Sequence, residues 1–261
     1  MCWQLRHLTL QNCVICPPPD LKRFDTLNGL NLCDVPMSSK SPESLISYNP
    51  LLEKLVLEIS DTSNHIQINA PNLRPFDFRG CIKYITLSNV PFLSKLSLPC
   101  QRSLKESEKY DFDNFFQLLP ALEHLYLECG TVQFLVNGAA EVPTRLSSPL
   151  SHLKRFNITL HGLPEFSSAF CLIQGSPYIQ DIEMEVITDV YNFLLCDIES
   201  PYDSSAWRSG RHKVRMLIEP STVGDYDGRR DKILAELTAI QCASRKAEVV
   251  VFDAYECYSD D

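Results

Sequence analysis

Apolar residues along this chain return in one phrase, apolar-x-x-apolar-x-apolar, nine times in roughly the first two-thirds of the sequence. The clearest copies are Leu5-Leu8-Leu10, Leu52-Leu55-Leu57, Leu93-Leu96-Leu98 and Leu122-Leu125-Leu127. Looser copies stand at Leu27-Leu30-Leu32, Leu73-Phe76-Phe78, Ile82-Ile85-Leu87, Leu153-Phe156-Ile158 and Ile179-Ile182-Met184. Alternation at the end of the phrase predicts a short strand with one face turned inward, and the first apolar residue packs where the chain enters it. Between phrases, Pro42 to Tyr48, Phe112 to Leu119 and Ser168 to Gln174 read as short apolar helices. Each is followed by a proline, Pro50, Pro120 or Pro177, that stops the helix before the next strand.

The first positions of successive phrases lie 22, 25, 21, 9, 11, 29, 31 and 26 residues apart. With the Ile82 phrase taken as an extra strand inside one unit, every interval falls between 20 and 31. That matches the leucine-rich-repeat period of about 20 to 29 residues. Cys13 and Cys81 stand three residues past the last apolar position, where that repeat carries its consensus cysteine. The fold class expected is α/β: a leucine-rich-repeat solenoid over residues 1–199, with a curved parallel sheet and short helices and loops on its convex side. Residues 200–261 read as a small α/β unit of another pattern. It has a loop at Ser200 to Ser205, a strand at Lys213 to Glu219, a helix within Asp227 to Ser244 and a strand at Glu248 to Phe252, then an acidic tail from Tyr255. A strand-helix-strand cap of this kind would cover the last repeat's open apolar face.

Composition sharpens this picture. Leucine makes up 35 of the 261 residues, while glycine contributes 9, about half of average usage. The leucine therefore reads as a one-dimensional core of stacked strands. Lysine and arginine number 24 against 33 acidic residues, a net charge of −9, which argues against nucleic acid as a partner because phosphate neutralisation needs a basic surplus. The 11 cysteines are odd in number and irregularly spaced, unlike a disulfide framework, and read as thiols packed in a reducing compartment. No signal-type apolar run and no stretch of 18 apolar residues occur. A cytoplasmic or nuclear protein with no membrane partner is the expectation.

The usual chemical signatures are missing. Cys13-Val14-Ile15-Cys16 is a lone C-x-x-C without a second ligand pair, and the six histidines form no H-x-x-x-H. Neither G-x-S-x-G, G-x-x-x-x-G-K-[ST] nor G-x-G-x-x-G is present. Asn157-Ile158-Thr159 is a glycosylation sequon only in a secreted protein, and the basic runs Arg208 to Arg215 and Arg229 to Lys232 read as solvated faces. No catalytic residue, metal site or cofactor is expected, and the chain is read as not an enzyme.

What is left is a recognition surface, made by strand residues that alternate with the buried ones and so face the concave side. The rows expected there are His7, Thr9 and Gln11; Lys54, Val56 and Glu58; Pro75, Asp77 and Arg79; Tyr84, Thr86 and Ser88; Lys95 and Ser97; and His124, Tyr126 and Glu128. Two further rows are Arg155, Asn157 and Thr159, and Asp181, Glu183 and Glu185. Carboxylates in the His124 and Asp181 rows favour a partner with a basic element at the C-terminal half. The same positions are also where merely solvated strand residues would stand.

The segments SLISYNPLLEKLVLEIS, INAPNLRPFDFRGCIKYITLSNVPFLSKLSL and FFQLLPALEHLYLECG resemble the plant F-box/leucine-rich-repeat proteins. In that family a helix ends in a recurring CP.LE.L.L phrase, here Asn49-Pro50-Leu51-Leu52-Glu53-Lys54-Leu55 with Asn in place of the usual Cys. Asn72, Leu73, Gly80, Asn89 and Pro91 match the block that follows, and the resemblance covers roughly residues 1–190. It implies a non-catalytic module, the substrate-recognition half of an SCF-type ubiquitin ligase, whose partner is a protein substrate. The alternative it leaves open is a small-molecule, hormone-like receptor using the concave face. The F-box itself is not recognisable, since the chain opens inside a repeat at Trp3. Docking to a Skp-type adaptor is therefore expected only with an N-terminal F-box restored.

Overall fold

The computed structural model describes residues 5–14, 24, 26–35, 41–63, 66–82, 85–98, 112–128, 146–160, 166–187, 213–219 and 248–253, the last two stretches as backbone. The chain forms two compact units, Met1–Ala140 and Glu141–Asp261.

In the first unit six strands lie side by side and all parallel: β1 (His7–Gln11), β2 (Gly29–Cys33), β3 (Lys54–Ser63), β5 (Pro75–Ile82), β7 (Lys95–Leu98) and β8 (His124–Leu127). The missing numbers belong to a second layer, where β4 (Ile66–Asn69) pairs in parallel with β6 (Ile85–Ser88). Helix α1 (Ser41–Ser47) flanks that pair, with the Gln67 amide donating to Glu43 Oε1 at 2.9 Å. From β2 to β8 each repeat is thus a strand in the main sheet and a return leg behind it: α1, β4, β6, then α2 (Phe112–Gln117). This is an α/β leucine-rich-repeat solenoid.

The register explains the phrase. Leu8, Leu30, Leu55, Phe76, Leu96 and Leu125 form one inward row across the six strands. From Leu30 onward each is at most 1% exposed. The leading residues Leu27, Leu52, Leu73, Leu93 and Leu122 are equally buried, and each such side chain adds about 1.5–3 kcal/mol of apolar burial. A tight turn sets them there. The amides of Leu52, Leu73, Leu93 and Leu122 donate to the carbonyls of Asn49, Ala70, Val90 and Leu119, three residues earlier, at 3.0–3.2 Å. Pro50, Pro71, Pro91 and Pro120 fill the second position of these turns, where the ring's fixed φ suits the geometry. Strands β1, β2 and β6 are followed by Asn12, Asp34 and Asn89, all at φ near +50°, a left-handed conformation that Asn and Asp tolerate better than most residues.

One phrase goes elsewhere than expected. Ile85 and Leu87 are buried, but they belong to β6 in the second layer. Thr86 and Ser88 therefore do not share a face with Lys54 or Lys95. Alternation reports that one side of a strand is buried and is blind to which layer does the burying. Strand β4, with Ile66 and Ile68 fully buried, was not singled out by the phrase at all, because it lacks the leading apolar residue.

The second unit repeats the plan. Strands β9 (Arg155–Leu160), β10 (Asp181–Ile187), β11 (Lys213–Glu219) and β12 (Glu248–Asp253) are parallel in that order. Helix α3 (Phe166–Gln174) buries Ala169, Phe170, Cys171, Leu172 and Ile173. The strands expected near 213 and 248 are present, and they extend the parallel pairing of β9 and β10. The helix expected within 227–244, the loop at 200–205 and the 199/200 boundary lie outside the described residues.

Gly175, just past α3, makes a close approach. A Cβ there would come within 2.7 Å of Leu146 Cδ1 and 3.2 Å of the Cys171 carbonyl. Gly175→Ala is expected to destabilise the second unit by about 1–3 kcal/mol through overpacking, read as a lower urea midpoint. Adding Leu146→Ala should recover part of that loss, whereas strictly additive losses would show that the Leu146 contact is not the cause.

Candidate functional site

The outward side chains of the main sheet form a face over which no helix lies among the described residues. In the first unit its central column is Thr9, Asn31, Val56, Asp77, Ser97 and Tyr126, each opposite the next in register. Toward the opening of the strands stand His7, Gly29 and Lys54, and then Pro75, Lys95 and His124. Toward their ends stand Gln11, Cys33, Glu58 and Arg79, with Glu128 just past β8. All these positions except Gly29 are exposed or half-exposed. The structure therefore brings His7, Thr9, Lys54, Val56, Glu58, Asp77, Arg79, Lys95, His124, Tyr126 and Glu128 onto one face. Tyr84, grouped with Thr86 and Ser88 from the sequence, lies outside the described residues.

The row Gly29, Asn31 and Cys33 was missed, although its phrase, Leu27-Leu30-Leu32, is plain in the sequence and the same alternation would have supplied it. Gly29 matters because it has no side chain: a Cβ there would press into the His7 imidazole, which lies over this rung. Cys33 Sγ is 3.2 Å from Asn31 Oδ1. Burial pushes the Cys33 thiol pKa up, the neighbouring carboxylates Glu58 and Asp34 push the same way, and Arg79 opposes them. A raised pKa leaves less thiolate at a given pH. Cys33 is accordingly expected to alkylate with iodoacetamide more slowly than an unperturbed thiol at mildly alkaline pH, and Glu58→Gln should speed it. Peptide mass spectrometry at timed intervals reads both, and an unchanged rate in the variant would remove Glu58 as a contributor.

Side chains on this face hold one another only loosely. Arg79 and Asp77 approach at 3.6 Å along one strand, and Lys95 Nζ sits 5.0 Å from the Tyr126 ring centroid, within cation–π range.

The face of the second unit is organised differently. Each outward residue of β9 meets its register partner on β10: Arg155 Nε is 3.2 Å from Asp181 Oδ2, Asn157 Nδ2 donates to Glu183 Oε2, and Thr159 Oγ1 donates to Glu185 Oε2 at 3.2 Å. Lys213 and Arg215 occupy the β11 positions opposite Asp181 and Glu183. The acidic row expected to attract a basic partner is thus engaged by donors of its own sheet. Residues Arg155, Asn157, Asp181, Glu183 and Glu185 share a face, as expected, but as a cross-linked ladder.

Among the described residues no three His, Cys, Asp or Glu side chains are placed to hold a metal ion, and no helix is long and apolar enough to cross a membrane. Of the C-x-x-C pair, Cys13 is half-buried and Cys16 lies outside the described residues.

Residues 1–112 match the family model described as the leucine-rich repeats of the FBD-associated F-box protein At5g56370. The F-box/FBD/LRR-repeat protein At1g13570 of Arabidopsis thaliana is 30% identical to the chain over a 285-residue alignment that takes in 95% of the chain and 68% of the relative. No solved structure matches the chain.

Proposed function

The chain belongs to the plant F-box/leucine-rich-repeat family, and from that premise we propose that it is a non-catalytic protein-interaction module, the substrate-recognition half of an SCF-type ubiquitin ligase. Proteins of this family are in general adaptors: they bind protein substrates and Skp-type adaptors, and other subunits carry out the chemistry. The observation that carries the reading is the open face of the first unit. Parallel sheets are ordinarily covered on both sides. Here one side rests on Leu30, Leu55, Phe76, Leu96 and Leu125, while the other presents Thr9, Lys54, Arg79 and Glu128 to solvent. A surface that is rigid beneath and polar above suits recognition of another macromolecule. Free thiols at Cys13, Cys33 and Cys171 support placing the protein in the reducing cytoplasm or nucleus.

The test is reconstitution. The chain fused behind an F-box should co-purify with a Skp-type adaptor and direct ubiquitin onto proteins bound through its repeats. The chain alone should not retain the adaptor. Adaptor binding by the bare chain, or bound proteins that are never modified, would overturn the reading.

A further inference from the structure

Charge on the first unit's open face is sorted along the strands. At their opening ends stand Arg6, Lys54, Arg74 and Lys95 against Glu53 and Glu123, with His7 and His124 on the flanking rungs. At their closing ends stand Asp34, Glu58 and Glu128 against Arg79. Among the described residues Arg6, Lys54 and Arg74 form no ion pair, so their charge is directed to solvent.

Two opening turns also expose large apolar side chains where most of the others do not. Leu51 is 47% and Phe92 52% exposed, and each lies three residues before an outward lysine, Lys54 and Lys95. The rung between them carries Asn72 and Pro75. The same pair, an exposed apolar residue and a lysine, therefore occurs on β3 and again two rungs away on β7. With strands about 4.8 Å apart, the two pairs are about 10 Å from each other. That is too far for one carboxylate or phosphate to bridge, but it is close to one turn, three residues and about 9 Å, of a polyproline II segment, whose side chains return to the same side at every third residue.

We propose that this edge is the docking site for an acidic, leucine- or phenylalanine-bearing segment of a partner protein, running across the strands with an acid–apolar pair at every third residue. The six rungs from His7 to His124 span about 24 Å, or about eight residues of such a segment. The apolar contacts at Leu51 and Phe92 favour such a segment over nucleic acid, as do the carboxylates at the closing ends, which repel a polyanion covering the whole face. The proposal rests on the recognition reading above and gives its substrate a chemistry.

The probe is a fluorescent peptide of about ten residues repeating Glu-Leu-Ser, titrated with the full chain and followed by anisotropy, beside the same peptide with Lys in place of Glu and a single-stranded oligonucleotide of equal charge. Binding of the acidic peptide is expected, weakening as salt is raised. Lys54→Glu with Lys95→Glu should lower affinity at least about tenfold, as should Leu51→Ser with Phe92→Ser. Arg155→Glu in the second unit should leave it unchanged, and circular dichroism melts of each variant establish that it is folded. Equal binding of the Lys peptide, equal binding of the oligonucleotide, or indifference to the double reversal would overturn the proposal. The ubiquitin transfer assay separates it from the broader reading. Peptide binding without transfer sinks only the ligase role, and transfer unaffected by Lys54→Glu with Lys95→Glu sinks only this site.

Discussion

Phe76→Ala is expected to cost about 3–5 kcal/mol, a large share of an ordinary domain stability of about 5–15 kcal/mol. The Phe76 ring is fully buried between its register partners Leu55 on β3 and Leu96 on β7, with Phe78 tilted against it at 6.4 Å between centroids. Removing it leaves a cavity that flanking strands, held by their own ladder, cannot close. In a repeat array the loss enters two interfaces at once, because each unit is stabilised chiefly by its neighbours. Urea denaturation should show the drop, and hydrogen exchange should place it on β3, β5 and β7. Phe92→Ala is the internal control: its ring is half-exposed on an opening turn, and its removal should shift stability by no more than about 0.5 kcal/mol. Comparable losses from the two substitutions would contradict the layer assignment.

Asn49→Ala is expected to cost about 2–4 kcal/mol, since it strands one buried and one half-buried partner. Asn49 is 1% exposed. Its Oδ1 accepts from the Phe24 amide of the preceding repeat at 2.9 Å, and its Nδ2 donates to the Leu45 carbonyl at the end of α1. A helix leaves its last carbonyls unpaired, and here a side chain closes one of them. Ser176 does the same after α3, donating to the Leu172 carbonyl at 2.6 Å. At the corresponding positions after β4, β6 and α2 stand Ala70, Val90 and Leu119, all buried and apolar. Ser176→Ala breaks one bond and should cost about 1 kcal/mol. Thermal melts read both losses, and faster exchange of the Phe24 amide is the specific mark of Asn49. An unaffected Phe24 amide would mean the link between the two repeats is not made by this side chain.

Much of this was legible from the apolar phrase. Eight of the nine phrases mark strands, six in the main sheet of the first unit and two, β9 and β10, in the second unit, and the helices expected near 42–48, 112–119 and 168–174 are α1, α2 and α3. The replacement of Cys by Asn at position 49 was visible as a departure from the family phrase, but its bonds to Phe24 and Leu45 depend on two elements meeting. The Ile82 phrase was misplaced on the concave face for a related reason. Its alternation is as regular as that of Leu93, and only the pairing of β6 with β4 puts it in the return layer.

The face shows the same division. Parity along each strand decides which residues point away from the core, so His7, Lys54, Asp77, Lys95 and Tyr126 could be named from alternation alone. Which of them stand side by side depends on register between strands up to 29 residues apart in the chain, as for Lys95 and His124. Register turned the acidic row of β10 from a bid for a basic partner into a ladder with Arg155, Asn157 and Thr159. It also placed Leu51 with Lys54 two rungs from Phe92 with Lys95. By itself the sequence determined the repeat, the buried side of each strand and the absence of familiar catalytic motifs, because these follow from local periodicity and residue type. Only the tertiary structure decided the layer of each strand and the neighbours of each charge, because those depend on pairings between residues distant along the chain.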